Sequence, residues 1–187
     1  QCPSTDKVIV TVLPLAVAPA SASVDRSILC NDDNGNIVLT ATGGSGTTLE
    51  WFSGSCGGSP VGTGNNLSVA SPTVTTTYFA RWTNSCGSSG CASVLVSVPT
   101  AITAGISAGA IACNGGTSAL TVNASGGTGV LQYSLNGGAY QLSNTFTVNA
   151  SGSPYTVTVK DENNCTVVSN SISVTEPAHL VFGTPAT

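Results

Sequence analysis

The sequence predicts an all-β protein that consists of tandem antiparallel β-sandwich modules. Three observations carry this prediction: the composition is poor in helix formers, apolar residues alternate with polar ones in short runs, and one stretch occurs twice. The chain has 187 residues, with 22 glycines, no methionine and only 6% charged residues. The repeated stretch is IVLTATGGSG at positions 37–46, which returns as LTVNASGGTG at positions 120–129.

The alternation has a period of two, which places successive side chains on opposite faces of a strand. Ile37, Leu39 and Ala41 therefore share one face of a predicted strand. Clusters of Gly, Asn, Ser and Pro separate such runs, and LNGGAY at 135–140 and KDENNCT at 160–166 predict the tips of hairpins. Short strands in modules of about 80 residues are typical of antiparallel sandwiches.

The repeat sets the predicted module boundaries. Each copy ends in a β-branched run and a proline, at Pro99 and at Pro177. Aligning the copies superimposes these pairs of residues: Cys30 and Cys113, Trp51 and Tyr133, Tyr78 and Tyr155, Cys86 and Cys165. We therefore predict the C-terminal strand of a preceding module at 1–14, full modules at 15–99 and 100–177, and a linker or first strand of a following module at 178–187.

The seven cysteines predict disulfide bonds and an oxidising compartment, because the chain has one histidine and no C-x-x-C pair that would suggest zinc. The second module has only two cysteines, which pair with each other if they pair inside the module. By equivalence the repeat then predicts these bridges and one unpaired residue: Cys113–Cys165, Cys30–Cys86, Cys56–Cys91 and the unpaired Cys2. The alternative is that the cysteines are free and buried.

The charge pattern excludes some classes of partner. With four Lys and Arg residues and a net charge of −4, the chain has no basic patch for nucleic acid or an anionic membrane surface. Its two longest apolar stretches are interrupted by proline and glycine, so we expect no insertion into a membrane. No cofactor-binding motif is present, because the double glycines precede strands rather than a helix.

Candidate site residues are few, and the chain is predicted not to be an enzyme because its only histidine has no candidate nucleophile near it in sequence. Asp32, Asp33 and Asp161 are weak candidates for calcium ligands; the alternative is that they face solvent, since neither stretch matches a calcium loop. Phe79 and Arg81 are predicted on the outer face of a sheet, as a binding surface or as ordinary packing.

The second module, from CNGGTSALTVNASGGTG to VKDENNCT and TEP, resembles a SprB-type repeat of the very large surface adhesins of gliding bacteria. The first, with WFSGSCGGSPVGTGNNLSV and CGSSGCASVLVSV, resembles the bacterial immunoglobulin-like domains that accompany such repeats. The resemblance implies immunoglobulin-like sandwiches, secretion by the type IX route and display on the cell surface.

These observations together predict a structural or adhesive stalk segment of an extracellular, cell-surface adhesin linked to gliding motility or attachment. The expected partners are neighbouring modules of the same long chain, and a surface polysaccharide or the secretion and motility machinery. The alternative is a carbohydrate- or protein-binding sandwich module of a secreted protein. Glycan binding that is lost on Phe79→Ala would favour the alternative.

Overall fold

The computed structural model describes residues 12–181, which form fourteen β-strands and no helix. The chain divides into two compact units. Of the described residues, unit 1 comprises 12–29 together with Asp33–Val98, and unit 2 comprises Cys30–Asp32 together with 99–181. The prediction of an all-β fold is confirmed.

Unit 1 has two antiparallel sheets. Their strands are β1 (Ser21–Val24), β2 (Asn36–Thr42), β3 (Thr48–Ser53), β4 (Ser59–Thr63), β5 (Leu67–Ala70), β6 (Thr76–Asn84), β7 (Gly87–Ser88) and β8 (Ala92–Val96). One sheet has the order β1-β2-β5; in the other, β4-β3-β6-β7 are neighbours and β8 also pairs with β6. A parallel bridge between Ile28 and Ser97 joins the segment before β2 to the end of β8.

The core of unit 1 lies between these sheets, because the inward side chains of both contribute to one cluster. Ile37 and Leu39 of β2 and Trp51 of β3 have no exposed surface. The indole Nε1–H of Trp51 donates to the carbonyl oxygen of Gly64 at 3.0 Å. The ring is therefore buried without leaving its one polar group unpaired.

Unit 2 repeats the plan with fewer strands. These are β9 (Thr103–Ala108), β10 (Ser118–Ser125), β11 (Gln132–Leu135), β12 (Thr145–Val148), β13 (Val157–Lys160) and β14 (Thr166–Val168). The sheets have the orders β12-β10-β9 and β11-β13-β14. Leu120 and Val122 of β10 pack with Val157 and Val159 of β13, and at most 1% of each side chain is exposed.

The stretch that occurs twice in the sequence makes the same turn in both units. Gly43 and Gly44 follow β2 with φ of 69° and 72°, and Gly126 and Gly127 follow β10 with φ of 84° and 71°. A Cβ atom at Gly44 would lie 2.5 Å from the carbonyl oxygen of Ala18, and one at Gly126 would clash with that of Ala101. The double glycine therefore supplies both a left-handed backbone and room for the passing chain.

Both units are two-sheet antiparallel sandwiches of the immunoglobulin-like kind. In unit 1 the first, second and fifth strands form one sheet and the third, fourth and later strands the other. In unit 2 the first, second and fourth strands form one sheet and the third, fifth and sixth strands the other. The sequence prediction of tandem immunoglobulin-like sandwiches is thus confirmed.

Candidate functional site

The cysteines form two disulfide bonds within the described residues. Cys56 is bonded to Cys91, as the sequence predicts. Cys30 is bonded to Cys165, which lies 135 positions later in the chain, and both residues belong to unit 2. Cys86 and Cys113 are unpaired and exposed. Cys2 lies outside the described residues.

The predicted bridge Cys30–Cys86 is therefore wrong, and unit 1 shows the physical reason. Leu29, next to Cys30, donates its N–H to the carbonyl oxygen of Ser97 at 3.0 Å, just beyond the end of β8. The end of β8 pairs with the start of β6, whereas Cys86 follows the end of β6. The length of β6, about 26 Å, separates the two positions. A disulfide bond requires Cα atoms within about 7 Å.

The predicted bridge Cys113–Cys165 is wrong for the same reason. Asn114, next to Cys113, donates its side-chain N–H to the carbonyl oxygen of Pro177 at 3.1 Å. Ile172, in the same C-terminal segment as Pro177, forms an antiparallel bridge with Tyr155, which lies just before the start of β13. Cys165 lies in the turn after the end of β13. The two cysteines thus lie at opposite ends of the same strand.

Phe79 and Arg81 lie on the outer face of β6, because their neighbours Tyr78 and Ala80 are buried in the core. Arg81 Nε donates to Glu50 Oε2 at 3.0 Å, and its guanidinium carbon lies 4.6 Å from the centre of the Phe52 ring. Phe79 is half-buried and pairs across the sheet with Phe52. The structure therefore brings an aromatic pair, a cation and a carboxylate together, and we name Glu50, Phe52, Phe79 and Arg81 the outer-face cluster.

A loop limits access to the outer-face cluster. A Cβ atom at Gly57 would lie 2.9 Å from Arg81 Nη1, so the backbone of this loop runs close beside the guanidinium group. The Cys56–Cys91 bond anchors the same loop just before β8. Phe52 is only 7% exposed although it points away from the core. A ligand could therefore contact the partly exposed Phe79 ring and the polar groups at the edge of the cluster, but the Phe52 ring is covered.

Asp33, one of the three acidic candidates, is engaged by other groups of the protein. The carboxylate of Asp33 forms an ion pair with Arg26 and accepts hydrogen bonds from the Gly35 N–H at 2.9 Å and from the Ser71 hydroxyl at 3.2 Å. The Gly35 hydrogen bond and Arg26 lower the pKa of Asp33 below its ordinary value of 3.8. Asp32, beside it, is exposed.

Asp161 is buried and organises the turn that carries Cys165. Its Oδ1 accepts the N–H groups of Asn163 and Cys165, and its Oδ2 accepts that of Thr128, each at 2.9 Å. Both oxygens are thus occupied by backbone donors, as expected for a structural carboxylate. Within residues 12–181 no group of three or more His, Cys, Asp and Glu residues could hold a metal ion, and no helix is long and apolar enough to cross a membrane.

Other side chains with structural roles were missed by the sequence analysis. Tyr155 and Asn149 form a hydrogen-bonded corner before β13. Asn65 in unit 1 and Asn144 in unit 2 each donate a side-chain N–H at 3.0 Å to a carbonyl of the second strand, that of Ala41 or Val122. Asparagine is common in loops, so a single sequence does not indicate that Asn65 and Asn144 make these hydrogen bonds.

Comparison with known protein families supports the predicted immunoglobulin-like fold of the first module. Residues 17–99 match the model of a family described as "Ig-like domain CHU_C associated". The SprB-type resemblance of residues 100–177 stays a prediction.

Among solved structures, the chain is similar to the crystal structure of Dscam1 isoform 9.44, N-terminal four Ig domains, at 14% identity and a TM-score of 0.35. The match covers 90% of this chain and 48% of that chain, so the present chain spans about half its length. None of the curated proteins matches the chain.

Proposed function

We propose that the chain is a structural segment that carries tension in a bacterial cell-surface adhesin, linked to attachment or gliding. The Cys30–Cys165 bond carries this proposal, because it joins positions 135 residues apart across most of the chain.

The Cys30–Cys165 bond determines which part of the chain is under tension when its ends are pulled. Force applied to the two ends of the chain passes from Cys30 to Cys165 through the sulfur atoms, so the residues between them remain folded until that bond breaks. The loop that it closes includes the second bridge, Cys56–Cys91, which therefore lies off the path of the force. By loop-closure entropy the long bridge also stabilises the fold by about 5 kcal/mol.

A position outside the cell is supported by two observations. Disulfide bonds persist in secreted and surface proteins and are rare in reducing compartments. The family whose model matches residues 17–99 is described as an Ig-like domain. Export by the type IX route and a place in a gliding adhesin rest on the SprB-type resemblance.

The test uses cells that display the protein and adhere to a surface under flow. A Cys30→Ser/Cys165→Ser variant is expected to reach the surface in the same amount but to detach at lower shear. The matched control is Cys56→Ser/Cys91→Ser, which removes a bridge that does not carry the force. Equal detachment of the first variant and the unmodified protein, at equal display, contradicts the proposal.

A second candidate function, carbohydrate or protein binding, is favoured by the outer-face cluster alone. Phe79 is only half-buried and lies beside the cation Arg81, an arrangement compatible with stacking of a sugar ring. Glycan-array binding by the chain that Phe79→Ala abolishes and Thr83→Ala preserves would support this candidate. Absence of binding in the unmodified chain would eliminate glycans as its ligand.

A further inference from the structure

The two unpaired cysteines are the repeat equivalents of the two cysteines in the Cys30–Cys165 bond. Cys30 and Cys113 each lie in the turn before the second strand of a module, and we name them the opening cysteines. Cys86 and Cys165 each lie at the hairpin turn after the equivalent strands β6 and β13, and we name them the closing cysteines. The observed bond thus joins the opening cysteine of one repeat to the closing cysteine of the next.

The closing cysteine Cys86 lies beside the segment by which the chain reaches unit 1. The thiol of Cys86 is 3.8 Å from the carbonyl oxygen of Leu13. Asn84, at the end of the same strand, donates its side-chain N–H to the carbonyl oxygen of Pro14 at 2.8 Å. Leu13 and Pro14, at the start of the described residues, therefore lie beside this exposed thiol.

The opening cysteine Cys113 lies beside the segment by which the chain leaves unit 2. Asn114 donates to Glu176 Oε1 at 3.2 Å, and the Gly115 N–H donates to Glu176 Oε2 at 2.7 Å. The turn of Cys113 is therefore attached to the last residues of the module. Cys30 is placed in the same way, since its neighbour Leu29 bonds to Ser97 at the end of β8. An opening cysteine that is held at the end of its own module is available to the closing cysteine of the next.

We propose that Cys86 and Cys113 are junction sites that form disulfide bonds with cysteines of the opposite class in adjoining modules of the same design. Cys113 bonds to the closing cysteine of a following module, and Cys86 bonds to the opening cysteine of a preceding one. The adjoining module belongs to the same polypeptide or to a second copy of this chain. The result is a staggered series of bridges, in which each module is linked through one of its cysteines to the module before it and through the other to the module after it.

The chemistry of each bond is an oxidation. Two thiols lose two protons and two electrons as the S–S bond forms, and a disulfide oxidant such as glutathione disulfide accepts them and becomes two thiols. Both cysteines are exposed, so an oxidant can reach them without unfolding of the module. The inference goes beyond the proposed structural role, because Cys30–Cys165 can carry tension even if Cys86 and Cys113 never react.

The test uses the whole 187-residue chain in a Cys2→Ser background, because Cys2 is a third closing-type cysteine in the sequence. One variant carries Cys86→Ser and retains Cys113; the other carries Cys113→Ser and retains Cys86. Each variant alone, and an equal mixture of the two, is incubated in a glutathione redox buffer. Non-reducing electrophoresis and peptide mass spectrometry measure the bonded products.

The mixture is expected to give a one-to-one dimer with a Cys113–Cys86 peptide, at least about tenfold more than either variant gives with itself. Dimers that form equally well within each variant, or thiols that stay free in the mixture, overturn the proposal. A second experiment uses a fusion of two copies, in which residue 177 of the first copy is joined to residue 15 of the second. If the yield of the Cys113–Cys86 bond in this fusion is independent of protein concentration, the bond forms within one polypeptide. If the yield rises with protein concentration, the bond forms between two separate molecules.

Discussion

The hydroxyl group of Tyr155 donates a hydrogen bond of 2.8 Å to the backbone carbonyl oxygen of Asn149, six residues earlier in the chain. The same hydroxyl oxygen accepts the N–H of Asn149 at 3.2 Å. Tyr155 is 5% exposed and its ring belongs to the core of unit 2. One side chain thus fixes the loop before β13 to the strand that ends at the turn of Cys165.

We expect Tyr155→Phe to lower the free energy of unfolding by about 1–2 kcal/mol, because the substitution leaves two backbone groups without their partner and keeps the ring. Tyr140→Phe is the control, since Tyr140 is 41% exposed. Chemical denaturation of both variants measures the difference. Equal stability of the two would show that the corner contributes nothing.

Asp161→Ala removes the acceptor of three backbone N–H groups around the Cys165 turn. We expect a loss of about 3 kcal/mol, since hydrogen bonds to a charged acceptor are stronger than neutral ones. Glu162→Gln is the control, because Glu162 is exposed and glutamine keeps the acceptor for the Val130 N–H. Denaturation midpoints at neutral pH provide the comparison, and an unaffected Asp161→Ala variant would contradict the structural role.

The lowered pKa of Asp33 predicts a specific loss of stability in acid. The folded state favours the charged carboxylate, so its contribution is complete above pH 3.8 and declines as the pH falls through the lower folded pKa. An Asp33→Asn variant is expected to lose less stability than the unmodified chain between about pH 4 and pH 2. Asp32→Asn, at the exposed neighbouring position, is the matched control. Parallel curves for the unmodified chain and Asp33→Asn would show that the ion pair with Arg26 has no effect.

The repeated double glycine predicts an unequal effect of two similar substitutions. Gly126→Ala adds a Cβ that clashes with the Ala101 carbonyl oxygen in a left-handed conformation, φ 84°. Gly137→Ala has a comparable φ of 76° but meets nothing within 4 Å. We expect a cost of about 1–2 kcal/mol for Gly137→Ala and a larger one for Gly126→Ala. Equal midpoints of thermal unfolding would contradict the account of the repeated turn.

Much of the fold could be predicted because it depends on local patterns. The alternation of Ile37, Leu39 and Ala41 predicts a strand with one buried face, and β2 has these three residues at 6% exposure or less. The turn signal LNGGAY is confirmed at its centre, where Asn136 and Gly137 both have positive φ. Such features are set by residues close together in sequence, so periodicity and turn chemistry reveal them.

The disulfide pairing could not be predicted in this way. Equivalence between repeats shows that Cys30 corresponds to Cys113, but it does not show at which end of the sandwich each cysteine lies. The assumption that pairs form within a module then leads to Cys30–Cys86, across the length of β6. Only two hydrogen bonds, from the backbone N–H of Leu29 and from the side-chain N–H of Asn114, reveal that the opening cysteines lie at the end of their modules opposite to the closing cysteines.

The outer-face cluster was predicted in part. Alternation along β6 correctly separates Phe79 and Arg81 from the buried Tyr78, whose pKa is raised by that burial. The ion pair with Glu50 and the loop at Gly57 depend on β3 and on the position of the Cys56–Cys91 bond. These contacts join residues that are far apart in the sequence, so no local sequence pattern predicts them.

The most direct test of the tension-carrying role is to pull the chain by its two ends in a single-molecule force experiment. With disulfide bonds intact, the segment between Cys30 and Cys165, a sequence separation of 135, cannot extend, and only the residues outside it should lengthen under force. A reductant should then release an additional extension of about 470 Å, at about 3.5 Å per residue. Full extension of the chain without reductant, with the same total length in both conditions, would contradict the account.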